Sequence, residues 1–211
     1  MAGEELSELP IFELPVVLLP GELLPLHIFE ERYKRMIGHS MEGDEPFGIV
    51  FRDESGGARN VGCTARVADV LERFDDGRMN IVVSGESPFR VLDRADASQF
   101  PVGDVELIDV AQEPDPADRD AAERARAAFT ELLREVSEQE DASEQLADQG
   151  AYEIAGRIEL PADTKQRLLE LRSEDERMRL LERALRTVAD AVRRSQEIAE
   201  VAKGNGAFPS R

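Results

Sequence analysis

The sequence contains few of the residues on which most catalytic and metal sites depend. Among its 211 residues there are two histidines, one cysteine and no tryptophan, and lysine occurs only at positions 34, 165 and 203. The single cysteine, Cys63, excludes an internal disulfide and agrees with a reducing compartment. Because the two histidines and the cysteine match no zinc-ligand spacing, we expect neither a metal nor another cofactor.

The sequence also lacks a long apolar run and a basic cluster. Prolines keep every apolar stretch far below the roughly 20 residues of a membrane span, and the acidic start MAGEELSELP is unlike a basic secretory signal. We therefore expect a soluble, cytoplasmic protein with no membrane partner. The formal net charge of −19 argues against nucleic acid as a partner, because binding to phosphates normally requires concentrated lysine and arginine.

Residues that form common catalytic motifs are missing as well. The sequence has no G-x-x-x-x-G-K-[ST] phosphate loop, and Gly204-Asn205-Gly206 lacks the lysine of such a loop. Cys63 lies in an alternating strand pattern, so we expect a buried thiol and not a nucleophile paired with a histidine. His27 is expected to be structural, bonded to backbone groups at the start of a helix. We therefore predict that the protein is not an enzyme and has no catalytic residues.

What the sequence does contain is an apolar stretch, residues 9–33, with proline at positions 10, 15, 20 and 25. A proline inside a helix costs about 3 kcal/mol, so this spacing predicts extended segments joined by turns. The first strand is expected to run through Ile11–Leu19, with Phe12 and Val16 in the core. Pro20-Gly21 predicts a turn, Leu23–Phe29 a second extended segment, and Glu30–Met41 a short helix.

This stretch, LPIFELPVVLLPGELLPLHIFEERY, resembles the opening signature of the Lon protease N-terminal domain, which reads approximately LPLFPLPVVLFPG and then LPLHIFEPRYR. The sequence departs from that signature at Glu13 and Glu31, where the family often has an apolar residue or a proline. The likeness continues through VGCTARVADVLERFDDGRMNIVVSGESPFRVLD and YEIAGRIELPADTKQRLLELRSEDERMRLLERAL, so it covers nearly the whole chain.

Several further segments between residues 47 and 110 read as short strands. They are Phe47–Phe51, Val61–Phe74, Met79–Ser84, Phe89–Leu92 and Val102–Val110, with a hairpin at Asp76-Gly77. Strands at this spacing predict a small antiparallel barrel. The family resemblance implies more, namely the six-stranded, PUA-like pseudobarrel of the Lon N-terminal domain.

Alanine-rich helical patterns replace the strand patterns after Gln112. Asp115-Pro116 predicts a helix start, a second helix carries Leu146 and Ile154, and Ser173 with Glu176 forms a capping box before the last helix. We predict an α+β fold: a PUA-like six-stranded pseudobarrel with a short helix in residues 1–112, a C-terminal α-helical bundle ending in a long helix in 113–203, and a disordered tail in 204–211.

The resemblance implies a non-catalytic module that binds unfolded or exposed apolar polypeptide segments, as an adaptor or chaperone would. A separate Lon-type protease is a second candidate partner. The residues that we assign to binding lie in or beside the second extended segment: Pro20, Leu23, Leu24, Leu26, Glu30 and Arg32. The same leucines would fit a barrel core equally well. A small-ligand sensor that uses a PUA-like pocket is the main alternative, and RNA binding is a weaker one because of the negative charge.

Overall fold

A computed structural model describes residues 4–96, 100–108, 119–136 and 149–205. Within these ranges the strands are β1 (Glu5–Leu14), β2 (Leu23–Ile28), β3 (Phe47–Arg52), β4 (Ala58–Arg73), β5 (Met79–Asp96) and β6 (Pro101–Leu107). The helices are α1 (Glu31–Gly43), α2 (Arg119–Val136), α3 (Ala151–Ala155), α4 (Ala162–Glu170) and α5 (Glu174–Asn205). The predicted α+β class, with six strands and a long last helix, is confirmed.

The six strands form one sheet in the order β2-β5-β4-β3-β1-β6, and a further pairing of β5 with β6 closes most of it into a barrel. The strand β5 makes this possible because it is long enough for two partners on the same edge. Its first part, Met79–Ser84, pairs with β2, and its second part, Phe89–Asp96, pairs with β6. Among the described strands, β2 therefore has one neighbour only, and its other edge is unpaired.

The core of the barrel is built from apolar side chains that alternate along the closed strands. Those packed together are Leu9, Ile11, Val50, Phe89, Val91 and Val105. The strand β1 contributes to this core from a central position, since it pairs with β3 on one side in parallel and with β6 on the other in antiparallel orientation. The first part of β1, Glu5–Pro10, pairs with β6, and its second part, Ile11–Leu14, pairs with β3.

The first strand differs from the one predicted over Ile11–Leu19. It begins earlier, at Glu5, and ends at Leu14, because Pro15 has no N–H to donate to a strand ladder. Phe12 is buried as predicted, but Val16 is 37% exposed, so its assignment to the core was wrong. Burial resumes immediately afterwards at residues 17–19, which lie outside any strand.

The predicted turn at Pro20-Gly21 is confirmed, and it determines where β2 lies. The Glu22 amide donates to the Leu19 carbonyl at 3.1 Å, and Gly21 has a φ of 76°, as the third position of a type II turn requires. The turn is tied to β5 by two backbone bonds, from Gly21 N to Gly85 O and from Gly85 N to Glu22 O. A Cβ atom on Gly85 would collide with the Leu19 carbonyl oxygen, which explains the glycine.

Helix α4 holds the same turn from another side. Lys165 of α4 forms an ion pair with Glu22, whose other carboxylate oxygen accepts a bond from the Leu19 amide at 3.0 Å. Gln166, also in α4, donates to the carbonyl of Val61 in β4 at 3.1 Å. Consistent with these contacts, the segment Tyr152–Glu174 groups with residues 1–113 into one compact unit. The division thus differs from the single boundary that we predicted after residue 112.

The second unit comprises residues 114–151 and 175–211, and its described helices are α2 and most of α5. Ion pairs join these two helices: Arg124 with Glu182 at 3.1 Å, and Arg193 with Glu131 and Glu135 at 3.2 Å. The predicted start of the last helix agrees with the structure: α5 begins at Glu174, directly after Ser173, the first residue of the predicted capping box.

Other predicted elements differ in extent. The strands expected at Met79–Ser84 and Phe89–Leu92 are parts of the single strand β5, and the strand expected over Val102–Val110 ends at Leu107. The second helix is described only as the short α3, and Leu146 and the helix start at Asp115-Pro116 lie outside the described residues. The tail was predicted from Gly204, but α5 continues to Asn205, and the residues beyond it are not among those described.

Candidate functional site

The edge strand β2 presents an apolar face to solvent. Its side chains alternate, so that those of Leu24, Leu26 and Ile28 turn inward while those of Leu23, Pro25 and His27 are exposed. Leu23 is 62% exposed and stands opposite Ser84 of β5. A proline in the middle of a strand is tolerated here because β2 is at the edge of the sheet.

A row of aromatic rings continues this exposed face beyond the end of β2. The His27 ring lies 5.9 Å from the ring of Phe29 and 6.2 Å from that of Phe74, and the Arg78 guanidinium lies 5.1 Å from the Phe74 ring centre. Phe29 is 59% exposed. The Nδ1 atom of His27 is 2.7 Å from Oδ1 of Asn80 in the opposite strand, so the predicted bonding of His27 to backbone groups was wrong.

A cavity of about 520 Å³ lies beside this row. It is formed where β1 and β2 end, where α1 begins and where β3 ends. The residues that line it are Phe12, Glu13, Leu14, Pro15, Leu26, His27, Ile28, Phe29, Glu30, Arg32, Tyr33 and Arg52. Its volume is within the range of about 300 to 1,000 Å³ that is usual for pockets binding small molecules or short side-chain groups.

Tyr33 lies in the wall of this cavity and combines a buried ring with an unpaired hydroxyl group. The ring is in contact with Phe12, at 4.0 Å between ring centres, and the Arg32 guanidinium lies 4.4 Å from its centre. The residue is only 6% exposed, and within the described residues its hydroxyl makes no hydrogen bond. Burial raises the pKa of Tyr33, while the charge of Arg32 lowers it by a smaller amount, so the hydroxyl is protonated at neutral pH.

Glu13 connects the cavity to a cluster of arginines. Its carboxylate accepts bonds from Arg52 of β3 and from Arg94 of β5, the latter at 2.6 Å, and only 17% of its side chain is exposed. Arg32 pairs instead with Glu30 at 3.0 Å. The cluster therefore holds three guanidinium groups for two carboxylates. This positive excess stands out in a chain whose formal net charge is −19.

The six residues that we predicted for binding fall at two places on β2 and its flanks. Leu26, Glu30 and Arg32 all line the cavity. Pro20 and Leu23 lie at the opposite end of β2, where Pro20 is half-buried in the turn. Leu24 is half-buried on the inward face.

Four residues of the site were missed by sequence reasoning. Tyr33 and Phe29 had a signal, because both belong to the apolar spacing that predicted α1, and such spacing marks core and binding residues alike. Glu13 and Arg52 had none. The pairing of Leu14 with Phe51 brings the ends of β1 and β3 together, and only this pairing places Arg52 next to Glu13.

Away from this site, the burial predicted for the Cys63 thiol is confirmed. Cys63 is completely buried, its thiol donates to the Thr64 carbonyl at 3.3 Å, and burial raises its pKa. The described residues contain no group of three or more histidine, cysteine, aspartate or glutamate side chains arranged to hold a metal ion. None of the helices, as far as the chain is described, has a segment with the length and hydropathy of a transmembrane span.

Fold and site together define a class of protein: an α+β module with a barrel-like sheet, a free strand edge and an adjoining cavity. Residues 8–187 match the family model described as the ATP-dependent protease La (LON) substrate-binding domain, and the chain belongs to this family. The resemblance noted in the sequence is thereby confirmed.

Two solved structures have the same fold. A Lon N-terminal domain protein from Xanthomonas campestris is 24% identical, with a TM-score of 0.63 over 83% of this chain and 97% of that one. The N-terminal domain of the Lon protease from the Mycobacterium avium complex is 22% identical, with a TM-score of 0.65 over 86% of this chain and 98% of that one. At these identities the likeness establishes the fold alone.

Proposed function

We propose that this protein is a non-catalytic module that binds unfolded or exposed apolar polypeptide segments along the free edge of β2. The observation that carries the proposal is the solvent-facing surface of this strand, where Leu23 and Phe29 are 62% and 59% exposed although both belong to the most apolar stretch of the chain. Exposing large apolar side chains is unfavourable by about 25 cal/mol per Å² of apolar surface. A partner that covers them would recover this free energy.

An extended polypeptide fits such a surface better than a folded one does. The unpaired edge of β2 offers backbone donors and acceptors to an added strand, which is how many domains recognise extended peptides. The side chains of Leu23, His27 and Phe29 then stand beside the added strand, where alternate residues of the peptide can contact them. The backbone supplies affinity for any sequence, and the exposed side chains favour apolar ones.

The test is capture of a permanently unfolded, carboxymethylated model protein by Leu23→Ser and Phe29→Ser variants. We expect each to weaken capture by about fivefold or more, since losing a well-covered apolar contact typically costs about 1 kcal/mol or more of binding free energy. Leu92→Ser is the matched control. Leu92 is also an exposed leucine, at 52%, and it lies on β5 eight residues beyond Ser84, the residue opposite Leu23.

Capture that is equal in all four proteins would contradict the proposal. Salt provides a second criterion. Binding through apolar contacts should persist in 1 M salt, where the Debye length is about 3 Å, whereas binding through charge should fade. The participation of a separate Lon-type protease stays a prediction, and pull-down with such a protease would address it.

The alternative function, sensing of a small ligand, is favoured by one specific observation, the cavity of about 520 Å³. A small ligand that fills this cavity would raise the thermal unfolding midpoint further as its concentration rises above its Kd, and it would do so equally in the Leu23→Ser variant. RNA binding has no such observation in its favour. Within the described residues, the excess of arginine that we identify is the cluster of Arg32, Arg52 and Arg94 around Glu13 and Glu30, far less than a phosphate-binding surface requires.

A further inference from the structure

The cavity beside β2 contains a hydrogen-bond donor that nothing in the described structure satisfies. Tyr33 is 94% buried, and its hydroxyl has no partner among the described residues. Three described side-chain atoms have no hydrogen-bond partner and no contact with solvent, and they belong to Glu135, Gln149 and Gln166. The Tyr33 hydroxyl is not one of them. The Tyr33 oxygen is therefore not sealed from solvent, and Tyr33 is one of the residues that line the cavity. A protonated hydroxyl at such a place can donate to a ligand.

Further donors at the same cavity are only partly used. Arg32 directs its Nε and Nη2 atoms to Glu30, which leaves the Nη1 group of a five-donor guanidinium without a partner in the described chain. Arg52 gives two nitrogens to Glu13 and the third to the Gly56 carbonyl at 2.9 Å. Helix α1 starts here as well, and Glu30 at its N-cap position makes no side-chain capping bond. The first amides of α1 add to the positive potential.

The remaining walls restrict the kind of anion that fits. Phe12, Leu14, Leu26, Ile28 and Phe29 line the cavity with apolar surface. A ligand that covers this surface must itself be apolar, and the carboxylates of Glu13 and Glu30 would repel a dianion such as phosphate. The wall itself carries two guanidinium groups, Arg32 and Arg52, and two carboxylates, Glu13 and Glu30. Because Arg94 also pairs with Glu13 from outside the wall, one guanidinium charge is in excess around the cavity, and this excess matches a single negative charge. The combination selects a monoanionic carboxylate attached to an apolar group.

We propose that the cavity receives the C-terminal residue of a bound polypeptide, with its carboxylate on Arg32, Arg52 and Tyr33 and its apolar side chain against Phe12, Leu26 and Phe29. This inference rests on the proposed function, because it adds an end point to the extended peptide on β2. Leu26, His27 and Ile28 belong both to β2 and to the cavity wall. A chain that follows the edge of β2 in one direction therefore arrives at the cavity, where a free carboxylate finds its donors.

The experiment uses the full-length protein and a ten-residue apolar peptide that contains tryptophan and ends in phenylalanine, prepared as the free acid and as the C-terminal amide. Since the protein has no tryptophan, the peptide is the sole source of tryptophan fluorescence. We expect the free acid to bind about tenfold or more tightly than the amide, because hydrogen bonds to a charged group contribute about 1.5 to 3 kcal/mol. N-acetylphenylalanine is the small-acid probe and should bind at least tenfold more weakly than the free-acid peptide.

Two variants locate the effect, and one controls for it. Tyr33→Phe removes only the hydroxyl, and Arg32→Gln removes a half-exposed guanidinium, so both should fold and both should reduce the preference for the free acid to about threefold or less. Arg35→Gln makes the same substitution on α1 at an exposed position outside the cavity wall, and it should leave the preference unchanged.

Each other result would overturn the inference in a recognisable way. Equal binding of acid and amide would remove the C-terminal site and leave the proposed function standing. Binding of neither peptide would count against the proposed function itself. N-acetylphenylalanine binding as tightly as the peptide would make the cavity a small-acid site. A preference that survives in both Tyr33→Phe and Arg32→Gln would place the carboxylate elsewhere on the protein.

Discussion

The two halves of the proline-rich opening stretch, Leu9–Leu19 and Pro20–Phe29, are both apolar and contain two prolines and one glutamate each. Their surroundings in the structure are nevertheless opposite. In the first half, Ile11, Phe12, Leu18 and Leu19 are all buried. In the second, Leu23 and Phe29 rank among the most exposed large apolar residues that the structure describes. The difference is one of neighbours, because β1 pairs with two strands, β6 along its first part and β3 along its second, whereas β2 pairs with β5 alone.

This contrast separates two reasons for an apolar sequence. Apolar residues in β1 and in the segment before the turn stabilise the barrel, and their exposure would cost stability. Apolar residues on the outer face of β2 contribute little to the fold and remain available to a partner. The predictions below test this division, from the change that should affect stability most to the one that should affect it least.

The largest loss is expected when a buried leucine before the turn is truncated. Leu19 is completely buried, so Leu19→Ala should lower the free energy of unfolding by about 2 to 5 kcal/mol, through lost apolar burial and the cavity left behind. Urea denaturation followed by far-ultraviolet circular dichroism measures this change. A loss well under 1 kcal/mol would mean that this half of the stretch is not core.

A methyl group at Gly85 should give the next largest effect. The Cβ of Gly85→Ala would meet the Leu19 carbonyl, so the turn has to shift away from β5, at a cost of about 1 to 3 kcal/mol. Amide hydrogen exchange should also accelerate along β2. Gly38→Ala is the matched control, since a Cβ there meets nothing within 4 Å and alanine is the better helix former. Equal stability of the two variants would contradict our account of how β2 is placed.

A pH dependence specific to Tyr33 should appear at alkaline pH. Its pKa in the folded protein is raised above the ordinary value of 10.0, so the folded state holds this proton more tightly than the unfolded state does. Stability should therefore be unaffected by this group below pH 10 and should fall as the pH rises from there towards the folded pKa. Denaturation midpoints measured against pH will show whether Tyr33→Phe removes this part of the decline; an unchanged profile would exclude the hydroxyl as its source.

The smallest effect on stability is expected on the outer face of β2. Leu23→Ser should change the free energy of unfolding by no more than about 0.5 kcal/mol, as is usual for exposed positions. The same substitution at the buried Leu18 should cost several times as much. If Leu23→Ser is as damaging as Leu18→Ser, the exposed leucine belongs to the fold, and the contrast between the two halves fails.

Sequence reasoning went furthest where one residue type restricts the backbone by itself. Prolines every five residues exclude a helix from residues 9–28, and the structure has the strands β1 and β2 there. Pro20-Gly21 forms the predicted turn because proline sets its own φ and glycine accepts a positive one. The isolated thiol of Cys63 is buried, as its place in an alternating strand predicted. The family signature then extended these local restrictions to a six-stranded fold.

Sequence reasoning failed where the position of a residue depends on partners that are distant in the sequence. Val16 and Leu23 look alike as members of apolar strands, and only the end of β1 at Pro15 and the single neighbour of β2 make them exposed. The division of the chain shows the same limit. Nothing local in Tyr152–Glu174 indicates that α4 bonds to the barrel through Lys165 and Gln166.

What the sequence by itself determined, then, is the local backbone and the composition: extended segments between prolines, a glycine turn, a last helix that begins directly after Ser173, and an acidic chain with few histidine, cysteine and lysine residues. The cavity was decided by tertiary structure alone. Glu13, Arg52 and Arg94 come from three strands and lie up to 81 positions apart in the chain, and they meet only because β1, β3 and β5 belong to one closed barrel. Local propensities act over a few residues, whereas the convergence of charges on a cavity requires the register of the whole sheet.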